Sequence, residues 1–342
     1  MLTFPEPPKE YGSVYLEDTD APLPGTLNHN TRYIHLGIIA KGGKSVISRV
    51  KDRHLNRLVA HKMLRPEFTD DPIENTRLLR EARVSAMLQH PYTIPTYEIG
   101  RDSRGRLYFT MKLVHGFTLR EVMEYRERYD LRQLMEVMEQ VARALAYAHD
   151  HGVAHRDIKP ENILIGPYGE VLILDWGLAK VWHKDGSPEE NDVAEGELMD
   201  EVPATPEARR RPLRGEEKTI TGRGKLQGTL LYMSPEQIQR DPNIGFSTDI
   251  YSVGSVMYEL LTGQPPFEGT QVYEILDRVK NDPPKSPSEV SALPVPSSLE
   301  ELCMHCLEKK PDDRPASMDE VLLSLQGDWD AELLGGRRRG RR

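Results

Sequence analysis

Four polar side chains on two neighbouring stretches of the chain could together align a hydroxyl group with a phosphate. Asp157, Lys159 and Asn162 fall within six residues, and Asp175 follows Asn162 by thirteen. A carboxylate can orient a hydroxyl proton, an ammonium group can neutralise a phosphoryl group, and amide and carboxylate oxygens suit Mg²⁺. The spacing therefore predicts a centre that brings together a hydroxyl, a triphosphate and a metal ion.

The residues before this centre have the pattern of a small antiparallel sheet with one long helix. Short apolar or β-branched runs are separated by turn signals such as Gly42-Gly43, which predicts strands, and apolar residues at helical intervals mark the helix. The predicted strands are Tyr33–Ile39, Val46–Val50, Leu58–Met63, Thr96–Gly100 and Leu107–Val114, and the predicted helix is Pro72–Leu88.

The pattern after Gly116 is mainly helical, with two short strands beside the polar centre. The predicted helices are Leu119–Tyr125, Leu131–His151, Pro235–Gln239, Thr248–Leu261, Val272–Val279, Leu299–Glu308 and Met318–Leu325, and the strands are Ile163–Ile165 and Val171–Leu174. An α+β fold with two lobes follows, in which a small β-rich lobe precedes a larger helical lobe.

Three stretches lack the apolar spacing of packed elements, and we expect them to be disordered. They are the Pro-rich residues 1–30, an insert at 183–218 and an Arg-rich tail at 327–342. The insert contains Asp185–Glu201, which holds eight acidic residues and no basic one. The folded domain is therefore expected over 31–326, with lobes at 31–115 and 116–326.

Composition excludes several classes of protein. The net charge of −9 disfavours a protein that wraps nucleic acid, so no nucleic-acid partner is expected. No apolar run is long enough to predict a transmembrane segment. The two cysteines, Cys303 and Cys306, offer no disulfide framework, and we expect buried thiols and a cytoplasmic protein.

From about Tyr33 to Leu325 the chain resembles the eukaryotic-like Ser/Thr protein kinase domain, in its bacterial branch. The run from His155 to Asn162 is similar to the catalytic loop H-R-D-L-x-x-x-N, and Asp175-Trp176-Gly177 is similar to D-F-G. Val59-Ala60-His61-Lys62 resembles V-A-I-K. The resemblance implies a bilobal protein kinase fold that uses ATP and Mg²⁺, with Mn²⁺ as an alternative metal.

The resemblance assigns catalytic roles position by position. Asp157 would accept or orient the proton of the substrate hydroxyl, and Lys159 would neutralise the transferring phosphoryl group. Lys62 would contact the ATP phosphates and pair with Glu81 on the long helix. Asn162 and Asp175 would be the metal ligands.

Further residues are implied around the nucleotide. Met111 would be the gatekeeper, with the Lys112 carbonyl and the Val114 amide facing adenine, and Ala60 and Leu164 would sandwich the ring. The remaining nucleotide-binding residues come from the phosphate-covering loop: Ile39, Ala40, Gly42, Gly43, Ser45 and Ile47. Because only Gly42 remains of the three family glycines, looser closure over ATP with retained binding is expected.

The segment downstream of Asp175 resembles that of protein kinases rather than small-molecule kinases. Gly228-Thr229 and Ser234-Pro235-Glu236 are similar to the end of the activation segment. Glu236 would pair with Arg314, and Asp249 and Gly254 would lie on the helix that anchors the catalytic loop.

Two features leave alternatives open. Arg156 next to Asp157 suggests regulation by a phosphate on Thr219 or Thr221, although these threonines equally suit an ordinary polar loop. Glu161 could favour a basic residue in the substrate or be a solvated carboxylate.

The sequence therefore predicts a Mg-ATP-dependent protein Ser/Thr kinase with protein substrates, which phosphorylates its own activation segment and self-associates to do so. The alternative is a pseudokinase scaffold that binds nucleotide without turnover. Its support is the loss of two glycines from the phosphate-covering loop.

Overall fold

The computed structural model describes residues 31–183, 187, 230–269, 271–327, 329 and 331–332. The chain divides into two compact units. The first holds the residues up to Gly116 together with Gly166–Gly177, and the second holds Phe117–Ile165 and the residues from Leu178 onward. Lys62 and Asp175 therefore belong to the first unit, whereas the loop from His155 to Asn162 belongs to the second.

The first unit contains a five-stranded antiparallel sheet in the order β1-β2-β3-β5-β4. β-Branched and aromatic residues recur along its strands, which suits a pleated surface with one packed face. The strands are β1 (Tyr33–Lys41), β2 (Ser45–Asp52), β3 (Arg57–Leu64), β4 (Thr96–Arg101) and β5 (Leu107–Lys112). β3 lies at the centre of the sheet and places Lys62 in the interior.

Helix α1 (Pro72–Met87) packs on this sheet. Asp71 caps its N-terminus by accepting a hydrogen bond of 2.9 Å from the Ile73 amide, and Pro72 suits the first turn because its missing N–H would lack a helical partner there. The apolar side of α1 joins a core formed by Leu64, Leu78, Ala82 and Phe109. Burial of this apolar side fixes the rotation of the helix. It thereby directs the Glu81 carboxylate toward β3.

The second unit is largely helical. Helix α3 (Leu131–Asp150) begins at a capping box formed by Asp130 and Gln133, and α5 (Ser247–Thr262) is buried along nearly its whole length. The other helices are α2 (Leu119–Met123), α4 (Pro235–Gln239), α6 (Val272–Asn281), α7 (Pro287–Val290), α8 (Ser297–Cys306) and α9 (Met318–Leu325). Short strands are β6 (Phe117–Thr118), β7 (Val153–Ala154), β8 (Ile163–Ile165) and β10 (Lys180–Val181), while β9 (Val171–Ile173) lies in the first unit.

The packing around α5 explains two sequence features. A Cβ atom on Gly254 would lie 2.6 Å from the Cβ of Cys306, so only glycine lets α8 approach this closely. The Sγ of Cys303 donates to the Gly254 carbonyl oxygen at 3.5 Å. Both thiols are fully buried, as predicted.

The α+β class is confirmed, with an antiparallel sheet and one long helix in the first unit and a helical second unit. The boundaries of the predicted disordered stretches stay predictions, because most of their residues lie outside the described part of the chain. Among the described helices, none combines the length and apolar character that crossing a membrane requires.

Candidate active site

A buried ion pair joins the sheet to helix α1. The Nζ of Lys62 lies 2.6 and 2.7 Å from the two carboxylate oxygens of Glu81, and both residues are at least 90% buried. Burial lowers the pKa of Lys62, but the carboxylates of Asp175 and Glu81 outweigh it and raise that pKa overall. The ammonium group is therefore held charged and fixed in direction. The pairing predicted from the sequence is present.

Asp175 lies in the first unit beside this pair. Its Oδ1 is 3.9 Å from the Lys62 Nζ, and about half of its side chain is exposed. The residue has a φ of +62°, in the left-handed region that non-glycine residues avoid. Burial, with Asp175 nearby, raises the pKa of Glu81 to about 7. A carboxylate in this strained position, next to a buried cation, is a typical functional arrangement.

The catalytic loop (His155–Asn162) holds its aspartate from two sides. The Lys159 Nζ lies 2.8 and 2.7 Å from the carboxylate oxygens of Asp157. The Asn162 Nδ2 donates to the Asp157 carbonyl at 2.8 Å and to its Oδ2 at 2.9 Å. The amide oxygen of Asn162 takes no part in these bonds, so it is the atom that a metal would bind. The structure thus brings the three predicted residues of this loop together.

The backbone of the catalytic loop is fixed by Asp249 on α5. Its buried carboxylate accepts hydrogen bonds of 2.8 Å from the amides of His155 and Arg156 and contacts the His149 Nε2 at 2.9 Å. Burial by itself would raise the pKa of Asp249. The hydrogen bonds from His149 and the loop amides, together with the electrostatic effect of His149 and His155, outweigh burial and lower that pKa overall. The predicted anchoring role of Asp249 is present in the structure.

Arg156 is a second strained position, with a φ of +65°. Its Nε donates to the Leu178 carbonyl at 2.8 Å, and its own carbonyl accepts from the Gln237 Nε2 at 2.8 Å. The predicted phosphorylation sites Thr219 and Thr221 lie outside the described residues. The same is true of Gly228-Thr229 and of the acidic stretch of the insert, apart from Ser187. Regulation through Arg156 stays a prediction.

The predicted pair between Glu236 and Arg314 is present. The guanidinium binds the carboxylate through two nitrogens, at 2.7 and 2.8 Å, and both side chains are buried. The same arginine also donates to the carbonyls of Ser247 and Glu308. It therefore ties α4 to the start of α5 and to the residues before α9.

The glycine hairpin (Ala40–Ile47) joins β1 to β2. The Gly42 amide donates to the Ser45 carbonyl at 2.8 Å, and a Cβ on Gly42 would lie 3.3 Å from that oxygen. A Cβ on Gly43 would meet nothing within 4 Å. Gly42 is therefore the glycine that the turn geometry favours, and it is the one that the family pattern retains. Ile39 precedes the hairpin on the exposed strand β1.

The glycine hairpin is tied to the rest of the first unit by two basic residues. The Arg65 amide donates to the Lys44 carbonyl at 2.9 Å, and its Nη1 donates to the Gly43 carbonyl at 3.0 Å. The Lys44 ammonium pairs with Glu74 in the first turn of α1. The sequence analysis missed this tether, because nothing in the spacing of Lys44 and Glu74 indicates a contact.

The residues assigned to adenine fall on both units. In the first, Ala60 and Met111 are cross-strand partners on β3 and β5. The Lys112 amide is engaged by the Pro95 carbonyl at 2.9 Å, and Val114 follows the end of β5. Leu164 lies in β8 of the second unit, paired with Thr118 of β6. The roles of these residues toward adenine remain predictions.

Arg120 is a residue near the catalytic loop that the sequence analysis did not identify. It binds Glu161, the neighbour of Asn162, with an Nε–Oε1 distance of 2.9 Å. The sequence offered no signal for the contact, because Arg120 precedes Glu161 by 41 residues.

Comparison with known proteins identifies the family. The family described as the protein kinase domain matches residues 33–324, which is most of the chain. The chain belongs to the protein kinase domain family, and the family predicted from the catalytic loop is confirmed.

Its relatives include curated bacterial Ser/Thr protein kinases. The chain is 35% identical over 303 residues to the serine/threonine-protein kinase PknD of Protochlamydia amoebophila, with 84% of this chain and 29% of that protein covered. It is 31% identical over 287 residues to a probable serine/threonine-protein kinase of Clostridium acetobutylicum, covering 84% and 38% of the two chains. It is 31% identical over 306 residues to PknD of Chlamydia trachomatis, covering 86% and 31%. The chain thus spans about a third of the length of these relatives.

Proposed function

We propose that this chain is an active, Mg-ATP-dependent protein Ser/Thr kinase that transfers the γ-phosphoryl group of ATP to Ser and Thr hydroxyls of proteins. The observation that carries the proposal is the geometry of Asp157, whose carboxylate is held by both Lys159 and Asn162 within 2.9 Å. A base fixed in this way is already oriented before a substrate arrives, which favours proton transfer.

Each charged residue then has one task. Asp157 orients the attacking hydroxyl and accepts its proton, while Lys159 stabilises the negative charge of the transferred group. Lys62, held by Glu81, contacts the α- and β-phosphates. These tasks use electrostatic positioning, which is the main source of catalysis in phosphoryl transfer.

The two residue types that the family pattern assigns to the metal suit magnesium. Asn162 supplies an amide oxygen and Asp175 a carboxylate, which are hard oxygen ligands of the kind that Mg²⁺ and Mn²⁺ prefer. When bound, the metal would supply positive charge that offsets the negative charge of the phosphates. The half-exposed carboxylate of Asp175 is accessible to such an ion.

Nucleotide binding is proposed for the remaining predicted residues. The Lys112 carbonyl and the Val114 amide would face the adenine ring, with Met111 as gatekeeper and Ala60 and Leu164 against the faces of the ring. Residues of the glycine hairpin would cover the phosphates. The support is the resemblance to the family pattern, which assigns these positions to the nucleotide.

We also propose that the kinase phosphorylates its own activation segment, at Thr219 or Thr221, through transient self-association in the cytoplasm. The support is Arg156, a cation directly before Asp157 that could pair with a phosphate. Mass spectrometry of the protein after incubation with Mg-ATP tests this. Phosphate on neither threonine would contradict it.

The test of the main proposal is an Asp157→Asn variant assayed with radiolabelled ATP and a generic protein substrate. We expect phosphoryl transfer to fall about 10²–10⁴-fold while nucleotide binding is retained, because a positioned acid–base group contributes that factor. Asp150→Asn, at the exposed end of α3, is the matched control and should match the parent.

Three results would contradict the proposal. Equal transfer by Asp157→Asn and the parent would show that Asp157 is not the base. Nucleotide binding by the parent, without transfer in Mg²⁺ or Mn²⁺, would instead support the pseudokinase alternative. Labelling of a small molecule without labelling of protein would indicate a small-molecule kinase.

A further inference from the structure

The catalytic loop carries a carboxylate that the proposed reaction does not use. Glu161 directly precedes Asn162, and its Oε1 accepts from the Arg120 Nε at 2.9 Å. Its Oε2 is enclosed and has no hydrogen-bond partner within the described part of the chain. The Glu161 side chain is 42% exposed, but its carboxylate is already engaged by Arg120 before a peptide arrives.

Arg120 is held by a second carboxylate and by a tyrosine. Its Nη1 lies 2.6 Å from the Glu259 Oε1, and its Nη2 binds the hydroxyl of Tyr232. Tyr232 in turn binds Glu259. All three guanidinium nitrogens therefore have an acceptor within this Arg120 cluster (Arg120, Glu161, Tyr232 and Glu259).

The inner part of the Arg120 cluster, formed by Glu259 and Tyr232, is buried, whereas the Arg120 and Glu161 side chains are 29% and 42% exposed. Glu259 and Tyr232 are 6% and 2% exposed, and Arg120 lies at the start of α2, whose first turn is capped by Thr118. A buried charge that loses its partner is costly, so displacing Arg120 from Glu259 would be strongly unfavourable. The contact is also intramolecular, so a peptide at millimolar concentration or below competes with a partner at high effective concentration.

We propose that Arg120 is a specificity-determining residue of this kinase. Its guanidinium group binds the carboxylates of Glu161 and Glu259. The enzyme therefore selects protein substrates without requiring a basic residue near the phosphorylated Ser or Thr. This inference rests on the proposed kinase function and names the substrate class of that site. Glu161 therefore does not select a basic substrate residue in the parent protein. It could do so only if Arg120 were removed.

The experiment is a peptide scan with the full chain. One Ser-containing parent peptide has alanine at the three positions on each side of the serine, and six variants each place one arginine there. For the parent protein we expect kcat/KM ratios between arginine and alanine peptides within about threefold at every position. For Arg120→Ala we expect at least a tenfold rise at one or more positions, because the freed carboxylates are then available to a cation.

Three variants serve as controls. Arg120→Lys keeps a cation in the cluster and should retain ratios like those of the parent. Arg120→Ala combined with Glu161→Gln should lose most of the gained preference. Glu161→Gln alone should leave the ratios within twofold of the parent, because Arg120 already engages that carboxylate.

Several outcomes would overturn the inference. A folded Arg120→Ala variant with unchanged ratios would show that the cluster has only a structural role. A parent protein that already prefers an arginine peptide tenfold, and loses this preference in Glu161→Gln, would show that Arg120 does not block the carboxylate. If circular dichroism shows that Arg120→Ala is unfolded, the Glu161→Gln and Arg120→Lys ratios decide.

A binding measurement separates this inference from the proposed function. Fluorescence polarisation of the same labelled peptides gives the arginine-to-alanine affinity ratio without turnover. Absence of phosphorylation in the parent with Mg²⁺ and Mn²⁺ would contradict the kinase proposal alone. Equal affinity ratios in the parent and Arg120→Ala would contradict the role of Arg120, whether or not the chain is active.

Discussion

The catalytic loop and the glycine hairpin are held by opposite kinds of contact. Buried groups fix the catalytic loop: Asp249 is fully buried and accepts from two loop amides and from His149. The glycine hairpin is held by more exposed groups: Arg65 binds it through an exposed contact, and the Lys44 side chain that pairs with Glu74 is 38% exposed. The comparison suggests that the second unit sets the position of the catalytic base rigidly, whereas the first unit leaves its phosphate-covering residues adjustable.

The sharpest test of this contrast removes the charge of the buried anchor. In Asp249→Asn the side-chain NH₂ group would face N–H groups that now donate hydrogen bonds to the carboxylate. We therefore expect the free energy of unfolding to fall by about 3 kcal/mol or more. We also expect kinase activity to fall more than tenfold, because the loop would lose its fixed position.

Chemical denaturation and the radiolabel assay measure the two effects of Asp249→Asn. The control is Glu301→Gln, which removes an exposed charge from α8 of the same unit. If Asp249→Asn unfolded at the parent's denaturant concentration, the anchoring of the catalytic loop by α5 would be disproved.

The second test concerns acid stability of the first unit. Burial, aided by the neighbouring His35, lowers the pKa of His61 to about 4, and its ring stacks on Tyr108 with centroids 4.5 Å apart. Because this pKa lies below that of an unfolded histidine, protonation favours the unfolded chain. Stability from His61 is thus present above about pH 6.5 and is lost as pH falls toward 4.

His61→Phe keeps an aromatic ring but cannot be protonated. We expect the variant to lose less stability than the parent between about pH 6.5 and 4, by on the order of 2 kcal/mol. Thermal melts at several pH values measure this, with the exposed His305→Gln as control. Parallel pH profiles for the parent and His61→Phe would argue against a buried neutral imidazole.

The smallest expected effect comes from the glycine hairpin. Lys44→Ala removes one tether, while Glu74 keeps its contact with Arg77 at 3.2 Å. The Lys44 side chain is 38% exposed, and an ion pair with one exposed partner contributes about 0.2–1 kcal/mol, so we expect the KM for ATP to rise no more than about fivefold with kcat nearly unchanged. Lys41→Ala, which removes an exposed charge from the same hairpin, is the control.

Steady-state kinetics with varied ATP would distinguish the two views of the hairpin. A fall in kcat of more than tenfold for Lys44→Ala would show that the hairpin is as tightly constrained as the catalytic loop. The contrast between the two regions would then no longer hold.

The sequence predicted those features that depend on short-range spacing. The catalytic loop, the Lys62–Glu81 pair and the start of α1 at Pro72 follow from residues whose order and intervals are local or belong to a known pattern. The helices Pro235–Gln239 and Met318–Leu325 were predicted with their observed bounds. Long apolar periodicity also located α3 and α5 to within one residue at each end.

Features set by tertiary contact, where the family pattern does not include them, could not be predicted. The strands Phe117–Thr118, Val153–Ala154 and Lys180–Val181 have two residues each, too few to show a period. Helix Pro287–Val290 has four residues and was missed for the same reason. The partner of Glu161 was equally hidden, because Arg120 and Glu161 are 41 residues apart and meet only in the folded chain.

The two buried cysteines give the second unit an internal reporter of its own opening. Burial raises the pKa of Cys306 to about 12, and Cys303 is equally enclosed, so neither sulfur reacts as a thiolate while the helices around Gly254 remain packed. A thiol-reactive dye would label the protein only when that packing opens. The labelling rate would therefore report how often the framework behind the catalytic loop opens, without any engineered probe.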